Sequence, residues 1–416
     1  MKVGIIGSGG REHALCHTIK KSEKVEKIYC FPGNAGTHNI AQNVDLDINN
    51  FELLKKFINK NKIDVVIVGP EKPLVDGVVD YLEANNIKVF GPNKLASKLE
   101  GSKIFTKNLC KKYNIPTAEF GVFKNLEKAL IFLNECKFPL VVKADGLAAG
   151  KGVYICHTKK QGKQAVEEIF NGKFGKASEV LIEEFLNGEE MSFFIISDGK
   201  NIKKFGTAQD HKRVGESDIG LNTGGMGAYS PSRLENIELD KKILERIINP
   251  TLKALENLNT SFKGFLYAGL MIVEDEPYLI EYNVRMGDPE CQTILPRLKT
   301  NFLNIIEAVI NKKLNQINID WYDDKTLSIV QCSNGYPEIY ENNKEIHNLD
   351  KITLTKDEFI FHASTKIIDS KIVSNGGRVL NFVVKSESFK KSREAAVKLI
   401  KKINWKNGFY RKDIGF

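Results

Sequence analysis

The sequence predicts an α/β protein in which an N-terminal doubly wound parallel domain, residues 1–100, precedes two mixed domains, residues 101–312 and 313–416. Strand-like and helix-like segments alternate through the first domain, which is typical of a parallel sheet with ligands at the carboxyl ends of its strands. A glycine-rich hairpin within a small unit at about 121–186 and antiparallel patterns after it indicate a different architecture for the rest.

Each element of the first domain follows from hydrophobic periodicity. Buried strands are predicted at "KVGIIGSG", "VEKIYCF", "IDVVIVGP" and "KVFGP". Helices are predicted between them at "REHALCHTIKKS", "FELLKKFINKNK" and "LVDGVVDYLEANN". A helical connector, "GSKIFTKNLCKKYNIP", leads into the second domain.

The later elements are predicted in the same way. In the small unit we expect strands at "FPLVVKAD", "GVYIC" and "EVLIEEFL", and a helix at "KQAVEEIFNG". "MSFFIIS" and "NIKKFGTA" flank an Asp-Gly pair and predict a hairpin. The last domain is α+β, with strands "LSIVQCS", "FIFHAST" and "RVLNFVVKS" and a helix at "SREAAVKLIKKI".

The first strand ends in a glycine turn that favours a phosphosugar over a dinucleotide. The third glycine of a G-x-G-x-x-G pattern is replaced by Glu12, and the second strand ends in "FPGN" without the acid that would hold a ribose. A helix that starts behind a glycine turn still favours phosphate. Asn34 to Thr37 and Gly69 to Glu71 follow the next two strands, so three turns share one sheet edge.

Composition excludes several classes of protein. The formal net charge is +9, but the lysines are scattered among Asn and Glu, so we expect no nucleic-acid partner. No apolar run approaches the roughly 18 residues of a membrane span, and the N-terminal "MKVGIIGSGG" is not a signal peptide. Seven scattered cysteines without a CxxC motif fit a reducing compartment. We therefore expect a cytoplasmic protein without a membrane partner.

The stretch "VVKADGLAAGKGVYI" predicts a loop for a polyanion. It is not a P-loop, because three residues rather than four lie between Gly146 and Gly150, and Gly152 follows Lys151 where Ser or Thr is required. The strands around it make it the loop of a β-hairpin. A plain surface turn is the alternative.

The strand "YLIEYNVR" carries the strongest metal signal. Glu281 and Asn283 are two residues apart, so both side chains leave the same face, and Arg285 continues that face. The same alternation places Leu279 on that face and Tyr282 on the other. A carboxylate and an amide oxygen suit Mg²⁺ that keeps water and phosphate oxygens as further ligands. A polar strand face without a metal is the alternative.

Two weaker signals stay open. The strand in "LIEEFLNGEEMSF" stops between two units, so its main chain could meet an adenine edge, although an acidic surface loop fits equally well. His13 and His17 are spaced i, i+4, but Ala14 stands where the H-E-x-x-H signature needs glutamate, so ordinary helix positions are expected.

Taken in order, these motifs resemble the ATP-grasp ligases, and in wording they are similar to the glycinamide ribonucleotide synthetase (phosphoribosylamine–glycine ligase) family of purine synthesis. The similar stretches run the length of the chain: "GSGGREHAL", "PGNAGT", "VGPEKPLVDG", "EGSKIFTK", "KADGLAAGKGV", "IEEFLNGEEMSF", "QDHKR", "NTGGMGAYSP", "GFLYAGLM", "GDPE", "GGRVL" and "YRKDIG". Leu221, Ser364 and Met286 depart from the family pattern without removing a charge or a ligand.

The resemblance implies an ATP-grasp fold for residues 101–312, with a lid subdomain at about 121–186 and a larger α+β subdomain. It also implies ATP as a substrate, Mg²⁺ or Mn²⁺ held by Glu281 and Asn283, and small-molecule partners only, in a monomer. ATP would be bound by Lys103, Lys143, Gly146, Gly150, Lys151, Gly152, Glu183, Glu184, Leu186 and Glu190. The phosphoribosyl group would be bound by Gly9, Gly10, Arg11, Glu12, Asn34, Gly36, Pro70 and Glu71. Catalysis would fall to Arg285, Asp288, Asp210 and Lys212.

The implied reaction joins glycine to 5-phosphoribosylamine through glycyl phosphate, with Arg285 stabilising the charge that develops. Two rivals remain: another ATP-grasp enzyme such as a carboxylase, and a nicotinamide-dependent oxidoreductase built on the first domain. "REHA" and "PGNAGT" disfavour the first rival, and Glu12 disfavours the second. A non-catalytic binding protein would require a broken metal pair, and the pair is intact.

Overall fold

A computed structural model describes residues 1–147, 152–174, 179–403 and 405–416 of the chain. The N-terminal part is a parallel sheet of five strands in the order β3-β2-β1-β4-β5. Its strands are β1 (Lys2–Gly7), β2 (Lys27–Pro32), β3 (Gln42–Asn43), β4 (Val65–Val68) and β5 (Val89–Phe90). Its helices are α1 (Gly10–Lys20), α2 (Phe51–Asn61), α3 (Glu71–Asp76), α4 (Val78–Ala84) and α5 (Lys98–Gly101).

The predicted shared edge of this sheet is confirmed. The strand order reverses at β1, whose neighbours are β2 and β4, and this is where open α/β sheets bind ligands. The turns after these three strands touch: Gly33 N donates to Gly7 O (3.1 Å) and Gly69 N donates to Ile6 O (3.0 Å).

Helix α6 (Lys103–Lys112) connects the first sheet to a small antiparallel unit with the strand order β6-β9-β7-β8. Its strands are β6 (Phe120–Phe123), β7 (Leu140–Ala144), β8 (Val153–Cys156) and β9 (Val180–Glu184), and its helices are α7 (Leu126–Glu135) and α8 (Lys159–Phe170). We call this unit the lid subdomain. Its two helices pack on the sheet around an apolar cluster made only of its own residues, for example Leu133, Val142 and Ile169.

Most of the remaining strands form one long antiparallel sheet in the order β16-β15-β10-β11-β14-β17-β21-β18, with β22 beside β17, while β12 pairs with β13 and β19 pairs with β20 in two separate hairpins. Up to residue 312 the elements are β10 (Glu189–Asp198), β11 (Ile202–Asp210), β12 (Arg213–Gly215), β13 (Ile219–Asn222), β14 (Gly227–Ser230), α9 (Ile237–Ile243), α10 (Asn249–Asn257), β15 (Lys263–Val273), β16 (Glu276–Asn283), α11 (Glu290–Ile294) and α12 (Phe302–Ile310). Short helical turns of other types lie at Thr37–Asn39, Glu216–Asp218, Leu244–Ile248, Leu295–Arg297, Leu314–Gln316 and Leu349–Lys351.

The C-terminal elements are β17 (Lys325–Ser333), β18 (Glu358–His362), β19 (Thr365–Ile368), β20 (Lys371–Ser374), β21 (Arg378–Ser386), α13 (Phe389–Ile403) and β22 (Gly408–Phe409). β14 pairs with β17, so the long sheet runs without a break from the second predicted domain into the third. The predicted domain boundary at 312/313 stays a prediction. The sheet itself does not mark it, because β14 and β17 pair across it.

Two apolar clusters tie the N-terminal sheet to the rest. Val66 and Leu82 share one cluster with Phe193 and Leu266 of the long sheet. α1, β1 and β18 contribute to another cluster together with α12. The edge of the N-terminal sheet is therefore held against both later parts. In the described part of the chain, the helices lack the length and apolarity that a membrane crossing requires.

Candidate functional site

Glu281 and Asn283, the predicted metal ligands, lie on β16. A β-bulge in the pairing of β15 with β16 determines which other side chains share their face. Gly269 pairs with Glu281 and Leu270 pairs with Leu279, so one extra residue is inserted between these pairs. Leu279 consequently packs in the same apolar cluster as Tyr282. The expectation that Leu279 shares the face of Glu281 was wrong, because the bulge breaks strict alternation. Glu281 and Asn283 both remain partly exposed.

Lys143, one of the lysines predicted to bind the ATP phosphates, belongs to a buried triad of charged residues with Glu183 and Lys107. Lys143 Nζ lies 2.7 Å from one oxygen of Glu183, and Lys107 Nζ lies 3.1 Å from the other. All three residues are at most 5% exposed. A buried carboxylate between two ammonium groups leaves the triad with one net positive charge, which a phosphate can neutralise. Lys107 was not predicted from the sequence as a site residue, although it lies one helical turn after Lys103 in "EGSKIFTK".

Lys103 joins the connector helix to the start of the glycine loop. Its Nζ donates to Gly146 O (2.7 Å). Asp145 accepts from Ser102 Oγ and from Ile104 N, both at the start of α6. Gly146 has φ +89°, and no atom of the described residues lies within 4 Å of the place where its Cβ would stand. Gly152 O accepts from Ala144 N (2.9 Å), whereas Gly150 and Lys151 lie outside the described residues.

The predicted hinge lies where β9 ends. The N–H of Glu184 donates to Glu119 O (3.0 Å), and its carboxylate accepts from Glu119 N (2.9 Å). Leu186 follows in the link between β9 and β10 and is partly buried. Glu190 is exposed and pairs with Lys212 (2.8 Å). The structure brings Glu190 of β10 together with Lys212, which lies between β11 and β12.

Arg285 is clamped by two carboxylates from the N-terminal part. Its Nε lies 3.2 Å from Glu71 and its Nη2 lies 2.6 Å from Glu100. Arg285 lowers the pKa of Glu71 to about 2. Burial raises the pKa of Glu100 to about 7, although Arg285 opposes the rise. Glu100 also accepts a hydrogen bond from Val284 N (2.8 Å). The sequence pattern did not predict Glu100 as a site residue.

Backbone N–H groups at the glycine turn after β1 donate to carboxylates of the protein itself, those of Glu12 and Asp288. Gly9 N and Arg11 Nε both donate to Glu12 (2.6 Å each), and Arg11 N donates to Asp288 Oδ2 (3.1 Å). Arg11 Nη1 donates to Met286 O (3.1 Å). Pro70 directly precedes α3, which begins with Glu71. The first turn of α1 is thus capped by an acid from the "GDPE" turn, 277 residues away in sequence.

Gly10 lies where α1 meets the C-terminal part. A Cβ on Gly10 would stand 2.5 Å from the side-chain amides of Gln292 and Asn381. Asn34 uses its side chain within the protein: Nδ2 donates to Ser8 O and His362 O (2.8 Å each). Its Oδ1 accepts from Gly36 N (2.8 Å). These contacts make Asn34 a structural link between the sheet edge and the C-terminal part.

Asp210 ends β11, and Lys212 follows two residues later. Asp210 Oδ1 is buried and has no hydrogen-bond partner among the described residues. Burial, and then the nearby charge of Glu290, raise the pKa of Asp210 well above its usual range. Glu290 is 3% exposed and accepts from Ser192 Oγ (3.3 Å). Two buried carboxylates near one another favour a cationic partner such as an amine.

The histidine pair of α1 has the structural role expected of ordinary helix positions. His13 Nδ1 accepts from His362 N (2.9 Å), and the rings of both His13 and His17 pack edge-on against Phe361. Burial lowers the pKa of His17 to about 4. Within the described ranges, no three His, Cys, Asp or Glu residues group as a metal site.

The fold and this site define an ATP-grasp enzyme. The family profile "Phosphoribosylglycinamide synthetase, ATP-grasp (A) domain" matches residues 101–291, and the N and C domain profiles of the same synthetase match residues 1–100 and 326–416. The chain belongs to the phosphoribosylglycinamide synthetase family.

Curated relatives and solved structures agree with this assignment. The phosphoribosylamine–glycine ligase of Brucella melitensis is 45% identical over 100% of this chain and 98% of the relative. That of Caldanaerobacter subterraneus is 45% identical over 100% and 99%. The crystal structure of the Thermotoga maritima phosphoribosylamine–glycine ligase has a TM-score of 0.86 and 33% identity, covering both chains completely. A biotin carboxylase domain from Hydrogenobacter thermophilus, 15% identical with a TM-score of 0.71 over 97% and 89%, shares the fold.

We expect the buried Glu100 to make stability depend on pH. Its folded pKa of about 7 lies above that of an unfolded glutamate, so it favours folding most fully at low pH and loses this contribution as the pH rises through 7. The melting temperature of the wild type minus that of Glu100→Gln should fall between pH about 5 and about 8. A difference that stays constant over this range would contradict the raised pKa.

Proposed function

We propose that the protein joins glycine to 5-phosphoribosylamine and converts ATP to ADP and phosphate, giving glycinamide ribonucleotide for purine synthesis. It is a carbon–nitrogen ligase of the ATP-grasp class, as its family membership and its full-length relatives indicate. The N-terminal sheet edge would hold the phosphoribosyl group, and the lid and long sheet would hold ATP.

One observation carries this proposal: positive groups from separate parts of the chain converge on Glu281. Burial acts to raise the pKa of this carboxyl, but Lys212, Lys143, Lys103 and Arg285 together hold it below its usual range. Four cations that act on one carboxylate would suit a polyphosphate with its metal better than a neutral ligand. The lid supplies Lys143 and the connector helix supplies Lys103, so ATP would lie between them.

The residues present fit Mg²⁺. Glu281 and Asn283 are partly exposed, share one strand face and offer the carboxylate and amide oxygens that Mg²⁺ accepts. When bound, Mg²⁺ would offset the negative charge of the phosphate oxygens. We propose that Mn²⁺ can take its place, since the same oxygen ligands suit both ions.

The chemistry proceeds in two steps. A carboxylate oxygen of glycine attacks the γ-phosphorus of ATP, and the bond to the β-phosphate oxygen breaks to release ADP. The amine of phosphoribosylamine then attacks the carbonyl carbon of glycyl phosphate, loses a proton and expels phosphate. The guanidinium of Arg285 would stabilise the oxyanion that forms, while Lys103 and Lys143 hold the phosphates.

The remaining predicted residues would position and bind the substrates. The hinge main chain at Glu184 and Leu186 would meet adenine, Glu183 would hold Lys143 in place, and Glu190 would reach the ribose. Asp288 would act by holding the start of α1, with Gly9 and Arg11, against the metal-bearing strand. Asp210 and Lys212 would line the side where the amine enters.

We also propose a monomer that works in a reducing, cytoplasmic compartment with small molecules as its partners. All seven cysteines are free thiols, and six of them are buried. This arrangement needs no oxidant to form and is typical of proteins in a reducing environment.

The test of the proposed function is ADP release with purified protein, ATP and Mg²⁺. We expect turnover only when both glycine and freshly made phosphoribosylamine are present. ADP release with bicarbonate in place of glycine would favour a carboxylase instead. Protection from proteolysis by NAD(P)H would favour the oxidoreductase.

The acyl-phosphate route makes a separate prediction. Glycine labelled with ¹⁸O in its carboxylate should pass one labelled oxygen to inorganic phosphate in each turnover, because the carboxylate oxygen becomes the bridging oxygen of glycyl phosphate. The other oxygen should remain in the amide. Mass spectrometry of both products measures this. Unlabelled phosphate, or label in ADP, would exclude the route.

A further inference from the structure

Arg378, at the start of β21, carries a guanidinium that the proposed reaction has not yet used. It belongs to the "GGRVL" stretch of the C-terminal part, and its side chain is 22% exposed. Its Nη1 donates to Gly224 O (2.5 Å) and to Asp288 O (2.6 Å), and lies 3.5 Å from the Asp288 carboxylate. One nitrogen therefore makes every one of these contacts.

The other edge of this guanidinium is open. Within the described residues, neither Nε nor Nη2 of Arg378 has a hydrogen-bond acceptor, although Nε carries one N–H and Nη2 carries two. A Cβ on the exposed Gly224 would stand only 3.0 Å from Arg378 Cζ, so glycine leaves room for the guanidinium to lie flat there. An Nε/Nη2 edge is a two-donor fork that matches a phosphate or a carboxylate.

The surroundings favour the phosphate over the carboxylate. Asp288, which touches Arg378, is also the residue that caps the start of α1 through Arg11 N (3.1 Å), at the edge proposed for the phosphoribosyl group. The cations that act most strongly on Glu281 are Lys212, Lys143, Lys103 and Arg285. The glycine carboxylate has to meet the γ-phosphate beside Glu281. It would therefore bind near the cations around Glu281 rather than at Arg378.

We propose that Arg378 binds the 5-phosphate of phosphoribosylamine through its Nε/Nη2 edge, so that the C-terminal part completes the sugar-phosphate site. This inference rests on the proposed function. It gives the C-terminal part a direct role in substrate recognition, in addition to its packing against α1. Gly224 and Asp288 would act as positioning residues that fix the guanidinium through their carbonyl groups.

The test compares binding of two ligands by the wild type and by Arg378→Met. Isothermal titration should use glycinamide ribonucleotide, the stable product, and the same nucleoside without its phosphate, each with an ATP analogue and Mg²⁺ present. The wild type should prefer the phosphorylated ligand by about 10²-fold, as expected for a bidentate charged contact. Arg378→Met should lose most of that preference while binding the unphosphorylated ligand as the wild type does.

Controls separate the alternatives. Arg233→Met, an exposed arginine on another loop, should keep the preference for phosphate. Arg378→Lys should recover only part of it, because lysine lacks the fork. Equal weakening of both ligands would show a purely structural role and overturn the inference, as would a higher KM for glycine with an unchanged KM for phosphoribosylamine. Failure of the wild type to bind glycinamide ribonucleotide at all would instead overturn the proposed function.

Discussion

Glu281→Gln should lower kcat by about 10²-fold or more while the protein stays folded, because removal of one preorganised charge at a phosphoryl-transfer site costs roughly 3 kcal/mol. Glutamine keeps the shape of the side chain and one oxygen but loses the negative charge. The charge is what Mg²⁺ needs, and it also balances Lys212, Lys143 and Lys103 around it. Steady-state turnover over a range of Mg²⁺ concentrations measures the effect.

Glu276→Gln is the matched control, since Glu276 lies on the same strand but pairs with Lys242 and Arg246 at the surface. Surface ion pairs contribute about 0–1 kcal/mol to stability and are far from the chemistry, so turnover should stay close to that of the wild type. Turnover of Glu281→Gln near the wild-type rate at limiting Mg²⁺ would show that the metal is held elsewhere.

The fold was predictable from sequence where local pattern and tertiary structure agree. β1, β2 and β4 of the N-terminal sheet show buried apolar runs, the short β5 consists of the apolar pair Val89–Phe90, and α2 and α13 show strong apolar faces, so all were found. β3 is only two residues long, Gln42–Asn43, and contains no apolar residue, so it left no signal. The continuity of the long sheet through β14 and β17 depends on which strands pair, and hydrophobic periodicity does not specify pairing.

The site was predictable where its residues lie on one strand or loop, and not where they meet from a distance. Glu281 and Asn283 follow from period-two alternation. The bulge that moves Leu279 to the opposite face depends on the pairing with Gly269 and Leu270. Glu100 becomes a partner of Arg285 across 185 residues of sequence, and only folding reveals this contact.

The residues of the N-terminal edge also make contacts between distant parts of the chain. Arg11 N is bonded to Asp288, and Asn34 donates to His362 O, so residues predicted to bind sugar also hold the three parts together. A substitution there should affect stability as well as KM. Assigning a substrate role to Asn34 therefore requires binding data in addition to activity.

Arg285→Ala should lower kcat/KM by about 10³-fold and change the affinity for an ATP analogue by less than about threefold, because the charge that Arg285 meets develops mainly in the transition state. In the structure its guanidinium already pairs with Glu71 and Glu100, so it is held in place before substrate arrives. Preorganised donors of this kind stabilise a developing oxyanion without reorganisation.

The substitution also removes the counter-charge of Glu100, which is buried against Arg285, and a lone buried carboxylate destabilises the fold. The double variant Arg285→Ala/Glu100→Gln relieves that charge, so it should regain thermal stability but not activity. Arg246→Ala, which removes an exposed arginine paired with Glu276, should leave both unchanged. Single-turnover measurement of phosphate release from saturating ATP separates the chemical step from binding. If activity returns with stability in the double variant, Arg285 serves the fold through Glu100 and the oxyanion must be stabilised by another group.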